Sequence, residues 1–329
     1  MEISVGIDLG TTFSVAAHVN EHGIVQEIVD QSRENKVNIP SVVYYQNENT
    51  VFVGEAAAQE MEAYPDKVIR SAKRFMGEDF IPPAGVPQDE TPVKFQAKVL
   101  RAIKQYVEEH EIGYKIKNAV ITVPAYFDDM KINLTKDAAA RADIDVLGII
   151  NEPMAAAIYY CENTVPQNQK FLVYDLGGGT FDVVIIEYRI NADGKNEIAT
   201  LGQSGNHQLG GDDWNRDLMA FLLDEARKKD PSVPSSLTDM DPHERQKLWV
   251  KADQAKLSLT KNLQRDVVVT INGINFEITV TRSDFERVTK ERLDETGERV
   301  DRVLRECSLS EDDIDLVLLV GGSTFMPMV

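Results

Sequence analysis

Two short stretches carry residue types suited to phosphate and metal chemistry: Val5 to Val15 reads VGIDLGTTFSV, and Val173 to Val183 reads VYDLGGGTFDV. In each, an apolar run ends at an aspartate, a Gly/Thr turn follows, and a second apolar run leaves. Glycine allows close backbone approach and positive φ, so turn N–H groups can cup phosphate oxygens, while Thr11, Thr12 and Thr180 add hydroxyl donors without charge. Asp8 and Asp175 stand at the strand ends, the edge of an open α/β sheet where ligands gather. Opposed across a cleft, they suit Mg²⁺ held through its water shell, because this ion dehydrates reluctantly and shares phosphate oxygens with carboxylates. One such motif alone reads as a tight turn with a capping aspartate. Two copies shift the balance towards a ligand held from both sides.

Neither common nucleotide motif is present: no GxxxxGK[ST] occurs, and Gly177, Gly178 and Gly179 are followed by Thr-Phe-Asp rather than a third spaced glycine. A further cluster, Asp253, Lys256 and Thr260, recurs at i, i+3 and i+7 on a helix expected over residues 243–263, whose apolar face is Leu248, Ala252, Ala255 and Leu259. On spacing alone a solvated helix face explains that cluster better.

Positioning two such turns takes two similar sheets. The duplicated hairpin pattern is accompanied in each half by a later buried strand ending in a small-residue loop, AVITVPAYF up to Phe127 and LVLLVGGST from Leu316 to Thr324. Two homologous α/β halves facing each other follow, and 329 residues with 43% apolar content can bury both cores. A helix is expected from Asp212 to Lys229 with the stripe Trp214, Leu218, Phe221 and Leu222, and Pro231 stops it. The Asn-Gly pair in DVVVTINGINFEITVT predicts a hairpin. The polar stretch from Asn163 to Gln169 suits the crossing between halves, and the Pro-rich stretch from Phe80 to Pro92 a surface loop. A net charge of −19 argues against nucleic acid as a partner. Two cysteines, Cys161 and Cys307, have neither disulfide nor zinc spacing. With no apolar run of membrane-spanning length and no leader pattern, the expectation is a cytoplasmic protein without membrane contact.

GIDLGTTFS, AKRFMG, NAVITVPAYFDD, IINEPMAAAIYY, YDLGGGTFDVVI, LGGDDW, DQAKLSLT and LVLLVGGST, in this order, resemble nearly end to end the ATPase domain of the DnaK-type (seventy-kilodalton heat-shock) chaperones. GGGTFD together with TVPAYF and INEPxAAA separates this family from the actins and sugar kinases. The resemblance implies an α/β, actin-like ATPase fold of two duplicated lobes, each with a mixed sheet flanked by helices, and nucleotide in the cleft. Lobe I would cover residues 1–165 with an insertion at about 38–95, and lobe II residues 166–329 with an insertion at about 210–290.

Position by position, the resemblance makes Asp8 and Asp175 the carboxylates that hold Mg²⁺ through water, with Gly10, Thr11, Thr12 and Phe13 as the first phosphate loop and Gly177, Gly178, Gly179 and Thr180 as the second. Lys73 matches the lysine that positions the attacking water, with Glu152, Asp182 and Thr180 completing the catalytic surround. Asp253, Lys256 and Thr260 match adenosine contacts, and Gly321, Gly322 and Ser323 the loop beneath ribose and adenine. Asp212 and Asp213 match an acidic pair at the base of the nucleotide lobe. The implied ligands are ATP or ADP with Mg²⁺, and K⁺ as an additional ion. The implied activity is ATP hydrolysis driving a chaperone cycle, with a nucleotide-sensing scaffold as the alternative.

Departures from the family pattern carry their own expectations. Phe325 stands where an arginine usually lies on the adenine face, and Leu257 where the other side is often basic. Ile132 replaces an arginine that works with the proline matching Pro124 to relay nucleotide state, and Gly148 replaces one that contacts the J-domain co-chaperone. Weak coupling to a J-domain protein is therefore expected, while a nucleotide-exchange factor remains an implied partner. The stretch from Gly77 to Phe95 is shorter than in housekeeping members, as in a specialised paralogue. After Val329 the family continues with a helix, a strand and another helix, a linker and the domain that grips unfolded client peptides. The expectation is an incomplete second lobe with apolar sheet surface open to water and marginal stability.

Overall fold

The computed structural model describes residues 2–28, 38–110, 114–164, 168–191 and 193–329. The chain opens with β1 (Glu2–Leu9), β2 (Phe13–Val19), β3 (Val25–Glu27) and β4 (Ile39–Pro40), followed by β5 (Val42–Asn47), β6 (Thr50–Val53), α1 (Glu55–Gln59) and β7 (Val68–Arg70). Next come α2 (Pro92–His110), β8 (Lys115–Val123), α3 (Asp129–Arg141), β9 (Asp145–Asn151) and α4 (Glu152–Asn163). The later part holds β10 (Gln169–Leu176), β11 (Phe181–Ile190), β12 (Asn196–Asn206), α5 (Gly211–Lys229), α6 (Pro242–Leu259), β13 (Gln264–Ile271), β14 (Ile274–Thr281), α7 (Arg282–Val288), α8 (Lys290–Glu306) and β15 (Leu316–Val320).

The sequence duplication is a duplication of topology. One sheet has the order β3-β2-β1-β8-β9, with β4 also on β2, and the other the order β12-β11-β10-β15. In both, an antiparallel hairpin (β1 with β2, β10 with β11) is extended by a later strand running parallel to its first strand (β8, β15). From Phe171 to Leu176 every residue of β10 is buried, so this strand is covered on both faces, as the apolar run Phe-Leu-Val-Tyr demands. Helix α4 packs on β8 and β9 of one sheet and on β10, β11 and β15 of the other, while α8 covers β11 and β12. Its small residues make this sandwiching feasible: Ala157 is fully buried, in one apolar cluster with Ala125, Phe171 and Val173.

Two smaller sheets stand apart, β6-β5-β7 and the pair β13-β14. Asn272 and Gly273 both have positive φ, 52° and 75°, the left-handed pair that the Asn-Gly signal predicts for a two-residue hairpin. α5 runs over Gly211–Lys229 with Trp214, Leu218 and Leu222 buried. α6 ends at Leu259 rather than at residue 263. The Arg282 guanidinium explains the early stop, since it donates to the carbonyls of Leu259, Thr260 and Asn262 and so satisfies the helix end. The stretch before α2 forms neither strand nor helix from Phe80 to Thr91, yet Val86 and Glu90 are buried, Glu90 pairing with Lys98 at 2.9 Å. Of the expected crossing from Asn163 to Gln169, Val165, Pro166 and Gln167 lie outside the described residues. Along the edge strand β15, Val317 and Leu319 face outward, 50% and 57% exposed. Among the described residues no helix is long and apolar enough to cross a membrane.

Candidate functional site

The two Gly/Thr turns meet. A Cβ added to Gly178 would fall 1.8 Å from Thr12 Oγ1, and one on Gly179 would fall 2.5 Å from Thr11 Cγ2. Each turn is itself tight: a Cβ on Gly10 would lie 2.0 Å from the Phe13 carbonyl oxygen, and the Gly177 N–H donates to the Thr180 carbonyl at 3.0 Å. The first amides of α5 hold the second turn, Gly211 N–H donating to Gly177 O at 3.0 Å and Asp212 N–H to Gly178 O at 2.7 Å. Thr12 Oγ1 is buried with no hydrogen-bond partner. A buried hydroxyl between two glycine turns calls for an absent polar partner, and phosphate oxygens fit that description. Phe13, by contrast, is 49% exposed.

The acidic groups sit at element ends next to the turns. Strand register sets Asp175 directly opposite Asp182, Asp8 sits one residue before the end of β1, and Glu152 opens α4. Lys73, 3% exposed on the short 3₁₀ turn Ala72–Phe75, donates from Nζ to Leu9 O at 2.5 Å and to Glu152 Oε1 at 2.7 Å. Burial pushes the Asp182 carboxyl up to about 8, with Glu152 adding to the rise. Asp175 is raised well above the usual carboxylate range, first by burial and then by Glu152, Asp182 and Asp8. Burial also raises Glu152; the neighbouring Lys73 ammonium opposes that rise and Asp8 adds to it. Asp182 Oδ1 is buried and lacks a partner. One ammonium thus faces a group of carboxylates that repel one another, a deficit of positive charge that a divalent cation would relieve. Among the described residues no three acidic, His or Cys side chains converge as a ready metal cage. An ion shared by Asp8 and Asp175 would therefore draw further ligands from water and phosphate, as Mg²⁺ does.

A second cluster extends the site along α6. Lys256 Nζ donates to Gly211 O at 3.0 Å and pairs with Asp253 at 3.2 Å, and Asp253 accepts from Asn215 at 2.9 Å. Ser323 Oγ donates to Gly177 O at 2.8 Å, joining the loop after β15 to the second turn. Gly321 has φ +86°, and a Cβ there would meet Leu176 O at 2.3 Å, so only glycine fits this close crossing. A Cβ on Gly322 would meet nothing within 4 Å, leaving an open floor beside Ser323. Thr260 turns its hydroxyl back to its own helix, donating to Leu257 O at 2.7 Å, and Phe325 and Leu257 are exposed to 78% and 62%. The structure thus brings the turns, the carboxylates, Lys73, Lys256 and Ser323 into one linked network. Thr260 joins it only through its hydroxyl's bond to the Lys256 carbonyl at 3.3 Å, and Phe325 stands exposed beside it.

A comparison with protein families matches the Hsp70 protein family over residues 4–90 and 82–329. The chain belongs to the Hsp70 family. Its sheets are accordingly those of the actin-like ATPase fold. Among curated relatives, the chaperone protein DnaK of Mycoplasmoides gallisepticum is 39% identical over 334 residues, covering 99% of this chain and 54% of the relative. Those of Thermotoga neapolitana and Mesomycoplasma hyopneumoniae are each 38% identical over 100% of this chain, and 54% and 53% of the relatives. This Hsp70 chain thus spans about half the length of the relatives it matches.

Several residues of the Hsp70 site carry no signal in type and spacing alone. Thr122 Oγ1 donates to Asp8 Oδ1 at 2.6 Å, orienting the carboxylate from the neighbouring strand. Arg74, next to Lys73, pairs with Asp213 at 3.1 Å, and a Cβ on Gly179 would touch its stem at 2.9 Å. Ser71 Oγ donates to Asp212 Oδ2 at 2.7 Å. Asp212 and Asp213 therefore fasten α5 to the Ala72–Phe75 segment, and Asp213 also accepts from the Gly210 N–H at 2.9 Å. Their neighbours in sequence, AKRFMG and TVPAYF, were the available clue.

Proposed function

We propose that the chain binds ATP or ADP with Mg²⁺ between its two sheets and hydrolyses ATP, as the ATPase part of a chaperone cycle in the cytoplasm. Unfolded client peptides would be gripped by the part of its relatives' length that this chain does not span. The observation that carries the reading is the abutting pair of glycine turns with the orphaned Thr12 hydroxyl between them, each turn following the strand end that bears Asp8 or Asp175.

Mg²⁺, when bound, neutralises phosphate charge. Asp8, oriented by Thr122, and Asp175 would hold the ion's water shell, and the turns Gly10–Phe13 and Gly177–Thr180 would cradle phosphate oxygens. Lys73, fixed by Leu9 O and Glu152, would place the attacking water and stabilise charge on the transferring phosphoryl group, with Thr180 beside it. Burial and Glu152 raise the Asp182 carboxyl to about 8, and a bound cation nearby would lower it and so let Asp182 accept a proton from the attacking water. Asp253, Lys256, Thr260, Gly321, Gly322, Ser323 and Phe325 would line the adenosine side. K⁺ would serve as an accessory ion beside the carboxylates, and an exchange factor as a partner. Single-turnover hydrolysis with wild type and Lys73→Ala tests the reading: a rate at least about a hundredfold lower in the variant is expected.

The second reading, a nucleotide sensor uncoupled from client binding, draws on Ile132. This side chain packs against the Met76, Val123 and Phe127 cluster, where the family pattern has a charged relay residue. Equal, negligible turnover in both chains, with ATP still bound, would select it.

A further inference from the structure

In a chain of net charge −19, one cavity runs against the overall sign. It measures about 690 Å³, and five arginines line it against two aspartates, Asp212 and Asp213. Arg74 and Arg216 share Asp213, at 3.1 and 3.3 Å, and Arg292 forks onto Asp217. The remaining two are under-compensated. Arg70 reaches Asp212 only at 3.7 Å and lies over the Trp249 ring at 3.7 Å from its centroid, and among the described residues Arg245 makes only a long 3.5 Å side-chain bond, to Leu237 O. Next to it, Gln246 Nε2 is a buried donor with no acceptor. Arg245 and Trp249, spaced i and i+4, share one face of α6, and Gln246 lines the same cavity beside them. Burial lowers the Arg70 pKa, with Arg216 and Arg74 adding to the fall and Asp212 and Asp253 opposing it.

We propose that this cavity is a second anion site, taking a tetrahedral phosphate-type oxyanion on Arg70, Arg245 and the Gln246 amide. It lies beside the second phosphate turn, sharing Arg74, Asp212 and Asp213 with that surround, but its proposed donors, Arg70, Arg245 and Gln246, are not those of the turns. Forked guanidinium donors suit an ion with several acceptor oxygens, and a dianion supplies the charge the arginines lack. The site would also tie β7 to α6, since Arg70 comes from one and Arg245 from the other, so that occupancy favours the arrangement in which these elements meet.

Trp249 supplies the readout, because the only other tryptophan, Trp214, is fully buried. Inorganic phosphate is titrated at constant ionic strength into the whole chain, nucleotide-free and with excess ADP, with acetate as control. A saturable change in emission with millimolar half-saturation is expected, retained at saturating ADP without loss of affinity, missing with acetate and lost in Trp249→Phe. Arg245→Gln should weaken it about tenfold, and Gln246→Leu should weaken it too, with circular dichroism confirming that each variant folds. No saturable response up to about 50 mM, competition by ADP, an equal response to acetate, or unchanged affinity in both variants would overturn the proposal. If the chain binds no nucleotide at all, both arms give the same curve and the anion site stands or falls by itself.

Discussion

Asp182 is the residue whose environment makes the sharpest solution prediction. Its carboxyl is raised to about 8 by burial and by Glu152, so between pH 4 and 8 the folded chain keeps a proton that the unfolded chain has released. More protons bound when folded means that stability falls as pH rises through that window, with the full penalty in place above it. Urea unfolding of the nucleotide-free chain should therefore show a lower midpoint at pH 8 than at pH 5. Asp182→Asn should make that slope shallower and raise stability at pH 8 by on the order of 2–4 kcal/mol. Some slope should persist, because Asp175 and Glu152 are raised as well. Identical slopes in the two chains would rule out Asp182 as the source. Phe325 gives a second residue-scale test. An exposed ring can stack on a base as a guanidinium does, but without charge, so Phe325→Arg is expected to change ATP affinity by several-fold in a binding titration. These side chains were legible in sequence as types, whereas their protonation was not. It arises first from burial in the fold, then from Glu152 arriving on a different element and, for Asp175, from its register partner Asp182.

At the scale of elements, the hairpins and the strand after each were readable because glycine and threonine between apolar runs leave few alternatives to a turn. The end of α6 was not readable, since the group that stops it, Arg282, lies 23 residues from Leu259 and meets it only in the fold. The contact between the two turns is also long-range, and two glycines separate its local from its global consequences. Gly321 sits at φ +86° against Leu176 O, so Gly321→Ala should cost about 1–3 kcal/mol of stability, seen as a lower urea midpoint. At Gly178 the obstruction is Thr12, with Oγ1 at 1.8 Å and Cβ at 2.9 Å from an added methyl, so rotating the threonine does not clear it. Gly178→Ala must push one turn from the other. Its expected signature is loss of nucleotide affinity by tenfold or more, with a smaller change in stability than Gly321→Ala. The reverse order of effects would mean that the turns are structural and do not hold a ligand.

For the molecule as a whole, the question is how a change at the turns would reach the surface. The sheets are bridged by α4, packed on both, and on the opposite side by Arg70 on Trp249, Ser71 on Asp212 and Arg74 on Asp213. Those bridges give the halves a shared closed arrangement, and a ligand between the turns would bias it. On the proposed reading, transmission onward is where this chain would depart from the family pattern. Ile132 sits in the apolar cluster of Met76, Val123 and Phe127, and Lys131 beside it is committed to Glu78 at 3.2 Å. Neither offers a free charge next to Pro124. Gly148 on β9 presents no side chain at all, where the family pattern has an arginine for the J-domain. Coupling energy must be carried by contacts that differ between two states, and an isoleucine in a packed cluster has no charge-assisted bond to make in one state and break in the other. Addition of a generic J-domain protein should therefore change ATP turnover less than twofold. Ile132→Arg should gain little alone, because the docking arginine would still be missing, whereas Ile132→Arg with Gly148→Arg should restore a several-fold rise. The second position accepts the change sterically, since a Cβ on Gly148 meets nothing within 4 Å. A several-fold stimulation of the unmodified chain would show that the signal leaves the nucleotide site by a route independent of both positions.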